Sequence, residues 1–469
     1  MKIHILGICG TFMGGIAVLA KQAGHEVSGS DANVYPPMST QLEEQGISLC
    51  EGYNAEDIPA DVDEVVIGNA MSRGNPAVEY VLNKGIAYSS GPEWLSRNVL
   101  NNRWVLAVSG THGKTTTSSM LAWMLEYAGL TPGFLIGGVP SNLGLSARIG
   151  DAPFFVVEAD EYDTAFFDKR SKFVHYRPRT AILNNLEFDH ADIFENLDAI
   201  KKQFHHFVRT IPGDGLIVKN GEDENIDAVL QQGCWSQLAA FHKEHDVNHE
   251  KDDWSIGETS EDGKRFDVQL DGKVVATVEW SFHGLHNRLN ALAAIAAAQH
   301  AGVPVELSCE ALKEFKGIKR RLEVIGTVNG VTVYDDFAHH PTAIEETLSA
   351  MNELKGDGKV IAVLEPRSNT MLMVVHKDSL SASLQQADEV CLYQPEGMDW
   401  TLDDVAAQSA VPVTVYSSTD EIIEAVKSKV SSGDHVPVSY THLRAHETSL
   451  PISYAVFCLK RRGGGGGGG

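Results

Sequence analysis

The chain has 469 residues, which is too long for one ordinary domain and predicts two or three domains. Lys and Arg number 38 against 63 Asp and Glu, and the resulting net charge of −25 argues against a nucleic-acid partner and against anionic lipid. Apolar runs are too short to span a bilayer, and the six cysteines form no CxxC pair, so we expect a cytoplasmic protein without membrane insertion and without a zinc site.

The first block, residues 1–103, alternates short apolar runs with helical patterns, which predicts a parallel sheet with helices on its faces. Gly7 and Gly10 follow the first predicted strand, and Asp31 ends the second. This arrangement is similar to a dinucleotide-binding turn and indicates a diphosphate at a helix N-terminus. Cys9 stands where the second glycine of that turn belongs, which argues against a nicotinamide-dependent oxidoreductase.

The second block, residues 104–315, contains the stretch VLAVSGTHGKTTTSSMLAWML. It predicts a buried strand, a glycine-bearing turn and a helix that begins near Lys114 and Thr115. Only two residues separate the turn's glycines, against four in the usual phosphate loop, but backbone N–H groups and the helix dipole still favour a phosphate. The alternative is a plain turn, which is weaker because a lysine at a helix N-terminus opposes the dipole. Later in this block, residues 250–283 predict an antiparallel hairpin.

Hard oxygen ligands for Mg²⁺ are expected next to a nucleoside triphosphate. FFVVEADEYD ends a predicted strand with four carboxylates in six positions, of which Glu158 is the best ligand candidate. A solvated acidic loop explains this stretch alone equally well. ILNNLEFDHADIF follows another strand and offers Asn185 and His190, although a lone histidine is more often structural.

The third block, residues 316–436, again alternates strands and helices. The motifs GLHNRLN, KRRLE, YDDFAHHP and EPRSNTM supply the candidates His286, Asn287, Asn290, Arg320, Asp336, His340 and Arg367. Each has a structural alternative, such as a helix cap, a solvated face or a turn. Several follow apolar strands, however, and ligands bind at the carboxyl ends of strands in open α/β sheets.

Residues 437–469 differ in composition from the rest of the chain. The acidic character disappears, periodicity is lost, and seven glycines close the sequence. This composition cannot form a packed core, so we expect a non-native tail and a truncated third domain. A genuine but divergent tail is the alternative.

The motifs GTHGKTTT, EADEYD, NNLEFDH, GLHNRLNA and YDDFAHHP, in this order, resemble those of the Mur ligase family over about residues 1–436. The resemblance implies an α/β protein with three domains: a Rossmann-like UDP-binding domain, a central P-loop ATPase domain and a C-terminal Rossmann-like domain. It further implies an ATP- and Mg²⁺-dependent amide ligase of peptidoglycan biosynthesis or recycling. If the C-terminus is defective, a non-catalytic nucleotide-binding module is the alternative, and the activity of this copy is impaired.

Two kinds of family member use UDP-N-acetylmuramate itself as acceptor. One adds L-alanine, and the other adds the murein tripeptide L-alanyl-γ-D-glutamyl-meso-diaminopimelate. The stretches FFDKRSKFVHYRPRTAIL and LEPRSNTM resemble the tripeptide-adding members. We therefore expect UDP-N-acetylmuramate and the tripeptide as substrates, with L-alanine as the alternative.

The resemblance also implies roles at matching positions. It assigns ATP binding to Gly110, Thr111, His112, Gly113, Lys114, Thr115, Thr116, Asn185, His286, Asn287, Asn290, Arg320 and Asp336. It assigns catalysis to Lys114, Glu158 and His190, and magnesium to Thr115, Glu158 and His190. It assigns the muramyl and peptide substrates to Gly7, Gly10, Asp31, His340 and Arg367. The implied reaction passes through an acyl phosphate.

Overall fold

Three large β-sheets, one after another along the chain, organise the protein in a computed structural model. The structure describes residues 1–36, 38–151, 153–191, 193–247, 251–366, 369–372, 377–395, 398 and 400–439. Each sheet carries its own helices. The predicted three-domain α/β fold class is therefore confirmed.

The first domain is built on five parallel strands, as expected from its alternating pattern. The strands are β1 (Lys2–Leu6), β2 (Glu26–Asp31), β3 (Ser48–Glu51), β4 (Glu64–Ile67) and β5 (Tyr88–Ser90). They lie in the order β3-β2-β1-β4-β5. The helices are α1 (Thr11–Gln22), α2 (Met38–Glu44), α3 (Pro76–Lys84) and α4 (Gly91–Leu95). Strand β1 is central and almost fully buried, which explains why it is mainly apolar, with His4 as a buried polar exception.

The central domain contains a mixed sheet of ten strands. These are β6 (Trp104–Ser109), β7 (Gly133–Leu135), β8 (Ala147–Arg148), β9 (Phe154–Glu158), β12 (Thr180–Leu183), β13 (Leu216–Asn220), β14 (Gln237–His242), β15 (Trp254–Thr259), β16 (Arg265–Leu270) and β17 (Lys273–Glu279). A separate small hairpin pairs β10 (Asp163–Ala165) with β11 (Asp168–Ser171). The helices are α5 (Lys114–Tyr127), α6 (Leu197–Val208), α7 (Glu224–Gln231), α8 (Leu285–His300) and α9 (Val305–Lys313).

The order of this sheet, β17-β16-β15-β14-β13-β12-β6-β9-β7-β8, places β6 beside both β9 and β12. All three strands are parallel, so their carboxyl ends meet at one edge. The hairpin predicted over residues 250–283 is confirmed as the antiparallel pair β16 and β17, to which β15 adds a third antiparallel strand.

The third domain contains six strands. These are β18 (Glu323–Val328), β19 (Val331–Asp336), β20 (Ile361–Leu364), β21 (Glu389–Tyr393), β22 (Val413–Tyr416) and β23 (His435–Ser439), in the order β18-β19-β23-β20-β21-β22. The helices are α10 (Pro341–Leu354), α11 (Asn369–Leu372), α12 (Lys377–Ser383), α13 (Asp403–Gln408) and α14 (Thr419–Lys429).

Strand β23 extends three residues past the boundary expected at residue 436. Pro437, Val438 and Ser439 complete this central strand, which pairs in parallel with β19 and β20. Pro437 interrupts the apolar pattern of this strand, so the strand was not predicted from sequence. Val436 and Val438 are both fully buried, which is the pattern of a strand covered on both faces. The remainder of the expected tail lies outside the described residues.

A bidentate ion pair between a buried arginine and a half-buried glutamate connects the central and third domains. The Arg288 guanidinium in α8 donates to both carboxylate oxygens of Glu353 in α10, at 3.0 and 3.1 Å. The backbone N–H of Gly284 donates to the same carboxylate at 2.7 Å. Bidentate geometry of this kind fixes orientation as well as distance. It holds the third domain beside the N-terminus of α8.

Candidate active site

The shortened phosphate loop lies where the sequence predicted it, between β6 and α5. Gly110 and Gly113 both have positive φ, at +143° and +74°. A Cβ atom at Gly113 would lie 2.5 Å from the side-chain nitrogen of Asn184 and 2.6 Å from the side-chain oxygen of Asn290. Glycine is therefore required at this position for two reasons: the φ angle is positive, and a side chain would have no room. Thr116, also assigned to this loop, is half-buried in the first turn of α5.

Lys114 is buried and lies between the loop and the acidic segment that follows β9. Its Nζ donates to the carbonyl of Gly110 at 2.7 Å and pairs with Glu161 Oε2 at 3.1 Å. The other oxygen of Glu161 lies 3.2 Å from His190 Nε2. Burial by itself would raise the pKa of Glu161, but Lys114 and His190 lower it to about 2. A buried row of lysine, carboxylate and histidine therefore stands beside the loop.

Thr115 and Glu158 form a second contact at the same edge. The Thr115 hydroxyl donates to Glu158 Oε1 at 2.9 Å, and the N–H of Gly137 donates to Oε2 at 2.7 Å. Burial and the nearby Asp160 raise the pKa of the Glu158 carboxyl. A cation would relieve this repulsion, and hydroxyl and carboxylate oxygens are ligands that Mg²⁺ prefers. These residues therefore fit a magnesium ion that accompanies a triphosphate.

His190 is held in a strained conformation. Its φ is +55°, a region that histidine adopts infrequently. The ring lies edge-on to Tyr162, with centroids 4.5 Å apart, and Nε2 faces Glu161. Burial would lower the pKa of His190, but the bond to Glu161 and the neighbouring charges raise it. Strain of this kind is retained where surrounding contacts enforce it, which is common at functional sites.

A network of asparagine side chains fixes the loop by hydrogen bonds to its backbone. Asn185 accepts the N–H of His112 at 2.7 Å, and its backbone carbonyl accepts the N–H of Thr111 at 3.2 Å. Asn184 donates to the carbonyl of His112 at 3.1 Å and to Asn290 Oδ1 at 2.8 Å. The loop is thus positioned by side chains that follow β12 and by one from α8.

The other two polar residues at the start of α8 are half-buried, and neither caps the helix. Gly284 occupies the N-cap position, and His286 and Asn287 belong to the first turn. The Asn287 side chain donates to the carbonyl of His283 at 2.8 Å. The structural alternative of a cap therefore fails for both residues, and their expected contact with adenine stays a prediction.

A carboxylate of the central domain connects the phosphate loop to the third domain. Glu187, which follows β12, accepts the hydroxyl of Thr342 at 2.7 Å, and the same oxygen lies 3.4 Å from His112 Nε2 and 3.5 Å from His340 Nδ1. Burial would raise the pKa of Glu187, but these partners lower it. His340 is also the N-cap of α10, where it accepts the N–H of Thr342.

Two other predicted third-domain residues, Asp336 and Arg320, make contacts within their own domain. Asp336 is buried and accepts the N–H groups of Leu322 and Ala338, both at 2.9 Å. Arg320 has a φ of +64° and its Nε lies 3.6 Å from Asp335. The contacts of Asp336 thus stabilise its own domain, and Arg367 lies outside the described residues.

In the first domain, the predicted residues form one turn. Gly7 has a φ of +81°, and Gly10 directly precedes α1. Asp31 accepts the N–H of Cys9 at 2.9 Å and that of Asn33 at 3.0 Å. Asp31 therefore fixes the conformation of the glycine turn through the backbone of Cys9.

Four residues that complete the site were not predicted from sequence. Glu161 is the ion-pair partner of Lys114, Asn184 contacts the loop, and Glu187 connects it to the third domain. Lys172 is a fourth: it is buried 3.6 Å from Asp160 and lies over the ring of Phe12 in the first domain. Their motifs were recognised, but spacing alone did not indicate which side chains face inward.

Three α/β domains, a shortened phosphate loop and carboxylates at the adjoining strand ends define an ATP-dependent ligase of the Mur type. The chain belongs to the Mur ligase family. Its catalytic-domain model matches residues 2–103, its middle-domain model matches residues 108–298, and its glutamate-ligase-domain model matches residues 320–439.

Within the family, the chain is similar to UDP-N-acetylmuramate–L-alanyl-γ-D-glutamyl-meso-2,6-diaminoheptanedioate ligases. It is 54% identical to that of Haemophilus influenzae, with 93% of this chain and 95% of the relative covered. It is 55% identical to that of Escherichia coli, with 93% and 94% covered. By contrast, it is 31% identical to the UDP-N-acetylmuramate–L-alanine ligase of Clostridium acetobutylicum, with 92% and 93% covered.

Two solved structures match almost the whole chain and differ in their sequence identity to it. A murein peptide ligase from Psychrobacter arcticus is 48% identical, with a TM-score of 0.72 and coverage of 94% of this chain and 95% of the other. A UDP-N-acetylmuramate–alanine ligase from Thermotoga maritima has a TM-score of 0.77 over 98% of this chain and 99% of the other, but at 23% identity it shows the fold alone.

Proposed function

We propose that the chain is the ATP-dependent ligase that joins L-alanyl-γ-D-glutamyl-meso-diaminopimelate to UDP-N-acetylmuramate in peptidoglycan recycling. The observation that carries this proposal is the 54–55% identity to tripeptide ligases, against 31% to an L-alanine ligase of similar length. The buried Lys114 beside the phosphate loop supplies the charge that the chemistry needs.

The chain's own residues bind and orient the triphosphate. Backbone N–H groups of the loop and the N-terminus of α5 face the phosphates, and Lys114 neutralises the group that is transferred. Thr115, Glu158 and His190 would hold Mg²⁺, which when bound reduces the repulsion between triphosphate and carboxylate. The expected contacts of four further residues with ATP stay predictions: Arg320, His286, Asn287 and Asn290.

The reaction then follows from the substrates' chemistry. The muramyl carboxylate oxygen attacks the γ-phosphorus and ADP leaves, which gives an acyl phosphate. The tripeptide's α-amine attacks the acyl carbon, loses a proton, and expels phosphate that carries one former carboxylate oxygen. Lys114 stabilises the negative charge on the transferring group, and removal of such a preorganised group typically costs about 10²–10³ in rate.

The substrates are assigned to the two outer domains. The glycine turn with Gly7, Gly10 and Asp31 is positioned for the UDP-sugar, with the helix N-terminus of α1 facing a diphosphate. We assign the peptide to the third domain, where binding of the substrate by His340 and Arg367 stays a prediction. A guanidinium can hold a peptide carboxylate by two hydrogen bonds.

We also propose a cytoplasmic location. The five cysteines of the described residues carry free thiols, which fits a reducing compartment that supplies ATP. Among the described residues, no helix has the length and apolar character that a membrane span requires.

Phosphate release tests the proposed substrate. The full chain is incubated with ATP, Mg²⁺ and UDP-N-acetylmuramate, and then with tripeptide, with L-alanine or with neither. We expect release with the tripeptide, little with L-alanine, and a product mass equal to the sum of the two substrates less one water. Faster turnover with L-alanine would overturn the proposal in favour of the alternative ligase. Nucleotide binding without acceptor-dependent turnover would indicate a non-catalytic module.

A further inference from the structure

Two buried histidines and one carboxylate meet between the phosphate loop and the third domain. We name His112, Glu187 and His340 the interdomain triad. Glu187 Oε2 lies 3.4 Å from His112 Nε2 and 3.5 Å from His340 Nδ1, and all three ligand atoms fall within 4.8 Å of one another. The imidazole rings of the two histidines lie 4.4 Å apart between centroids.

These separations match a metal coordination shell. In a tetrahedral zinc site with bonds of about 2.0–2.2 Å, neighbouring ligand atoms lie roughly 3.3–3.5 Å apart. His340 Nδ1 accepts the N–H of Thr342 at 3.3 Å, so this nitrogen carries the lone pair that a ligand must offer. Metal binding would replace that long hydrogen bond with a stronger interaction.

The triad is chemically different from the residues assigned to magnesium. Thr115 and Glu158 offer hard oxygen atoms, whereas the triad offers two imidazoles, which suit Zn²⁺ and related transition metals. The absence of CxxC pairs predicted no zinc site, but that argument concerned cysteines only. A triad of two histidines and one glutamate leaves a fourth position open, as in zinc sites that keep a water ligand.

We propose that the interdomain triad is a binding site for a divalent transition metal of the zinc class, separate from the magnesium that accompanies ATP. This goes beyond the proposed ligase function. His112 and Glu187 belong to the central domain and His340 to the third domain, so a bound ion ties the phosphate loop to α10. Separation of the two domains then requires the loss of at least one metal–ligand bond, so the bound ion favours the closed arrangement.

Cobalt absorption tests the site without any substrate. The full chain, in excess Mg²⁺ and without nucleotide, is titrated with Co²⁺, whose visible bands are intense only in tetrahedral nitrogen–oxygen or sulfur sites. We expect one equivalent to bind, zinc to displace it, and His340→Ala to weaken binding at least tenfold. His339→Ala is the matched control, since this neighbouring histidine bonds to the Phe337 carbonyl and is not one of the three residues whose ligand atoms converge, and the Co²⁺ affinity of this variant should match that of the unmodified chain.

Two further variants keep the test decisive. If His340→Ala does not fold, Glu187→Gln removes the central oxygen ligand and should weaken Co²⁺ binding by a similar factor. His190→Ala removes a histidine from the magnesium group and should leave the Co²⁺ spectrum unchanged. Absence of tetrahedral bands in the unmodified chain, or full affinity in the variants of both His340 and Glu187, would overturn the proposal. Because the readout needs no substrate, it is independent of whether the ligase proposal holds.

Discussion

Removal of the Asn290 side chain should destabilise the central domain and the phosphate loop together. Asn290 is buried in α8, and its Oδ1 accepts hydrogen bonds from Asn184 at 2.8 Å and from the hydroxyl of Thr117 at 3.1 Å. In Asn290→Ala both donors lose this acceptor. Asn184 keeps its second bond, to the carbonyl of His112 at 3.1 Å.

The size of the effect follows from the two buried donors. A buried donor left without a partner costs about 1–3 kcal/mol, and the rotatable Thr117 hydroxyl recovers part of this by bonding to its own helix. Alanine favours a helix over asparagine by roughly 0.5 kcal/mol, which opposes the loss. We therefore expect Asn290→Ala to lower the free energy of unfolding of the central domain by about 2 kcal/mol.

Urea unfolding followed by tryptophan fluorescence measures this loss, because five of the seven tryptophans lie between residues 104 and 280. Asn287→Ala is the matched control on the same helix. Its side chain is half-buried and makes one bond to a backbone carbonyl, so its midpoint should shift little. Equal shifts for Asn287→Ala and Asn290→Ala would refute the reasoning, since helix propensity is the same in both.

Three further outcomes are expected. Lys114→Ala should keep the fold and lower ligase turnover by about 10²–10³, and near-normal turnover at saturating ATP would contradict its role. Gly113→Ala should raise the KM for ATP at least tenfold in a steady-state assay, because the new Cβ meets Asn184 and Asn290 and alanine disfavours a φ of +74°; an unchanged KM would contradict the loop geometry. Burial lowers the pKa of His4 to about 4, so its contribution to stability is present above about pH 6.5 and is lost as the pH falls, by about 2 kcal/mol at about pH 5. Urea midpoints measured at both pH values should show this loss of stability in the unmodified chain and a smaller loss in His4→Asn. An equal loss in the two proteins would contradict the role of His4.

The phosphate loop could be placed from sequence because its signal is local. A buried strand, two glycines and a lysine at the start of a helix occupy consecutive positions, so no long-range information is needed. The ion-pair partner of Lys114 could not be chosen in this way. Four carboxylates crowd into six positions, and only the turn after β9 decides that Glu161 rather than Glu158 faces the ammonium group.

Other features of the structure could not be predicted because they depend on contacts between residues far apart in the sequence. The Asp336 carboxylate accepts N–H groups of its own domain, a pairing that depends on how β19 meets the preceding turn, and its expected contact with ATP stays a prediction. The central position of β23 depends on parallel pairing with two strands far away in sequence. Alternation of apolar residues predicts that a strand exists but leaves its neighbours in the sheet undetermined.

The fate of one oxygen atom tests the central claim most directly. UDP-N-acetylmuramate is prepared with heavy oxygen in its muramyl carboxylate and is turned over with ATP, Mg²⁺ and tripeptide. If the γ-phosphate passes to that carboxylate, each released phosphate carries one heavy oxygen atom, which mass spectrometry of the phosphate detects. Phosphate without the label, accompanied by formation of the amide product, would contradict the acyl phosphate and the proposed use of the energy of ATP.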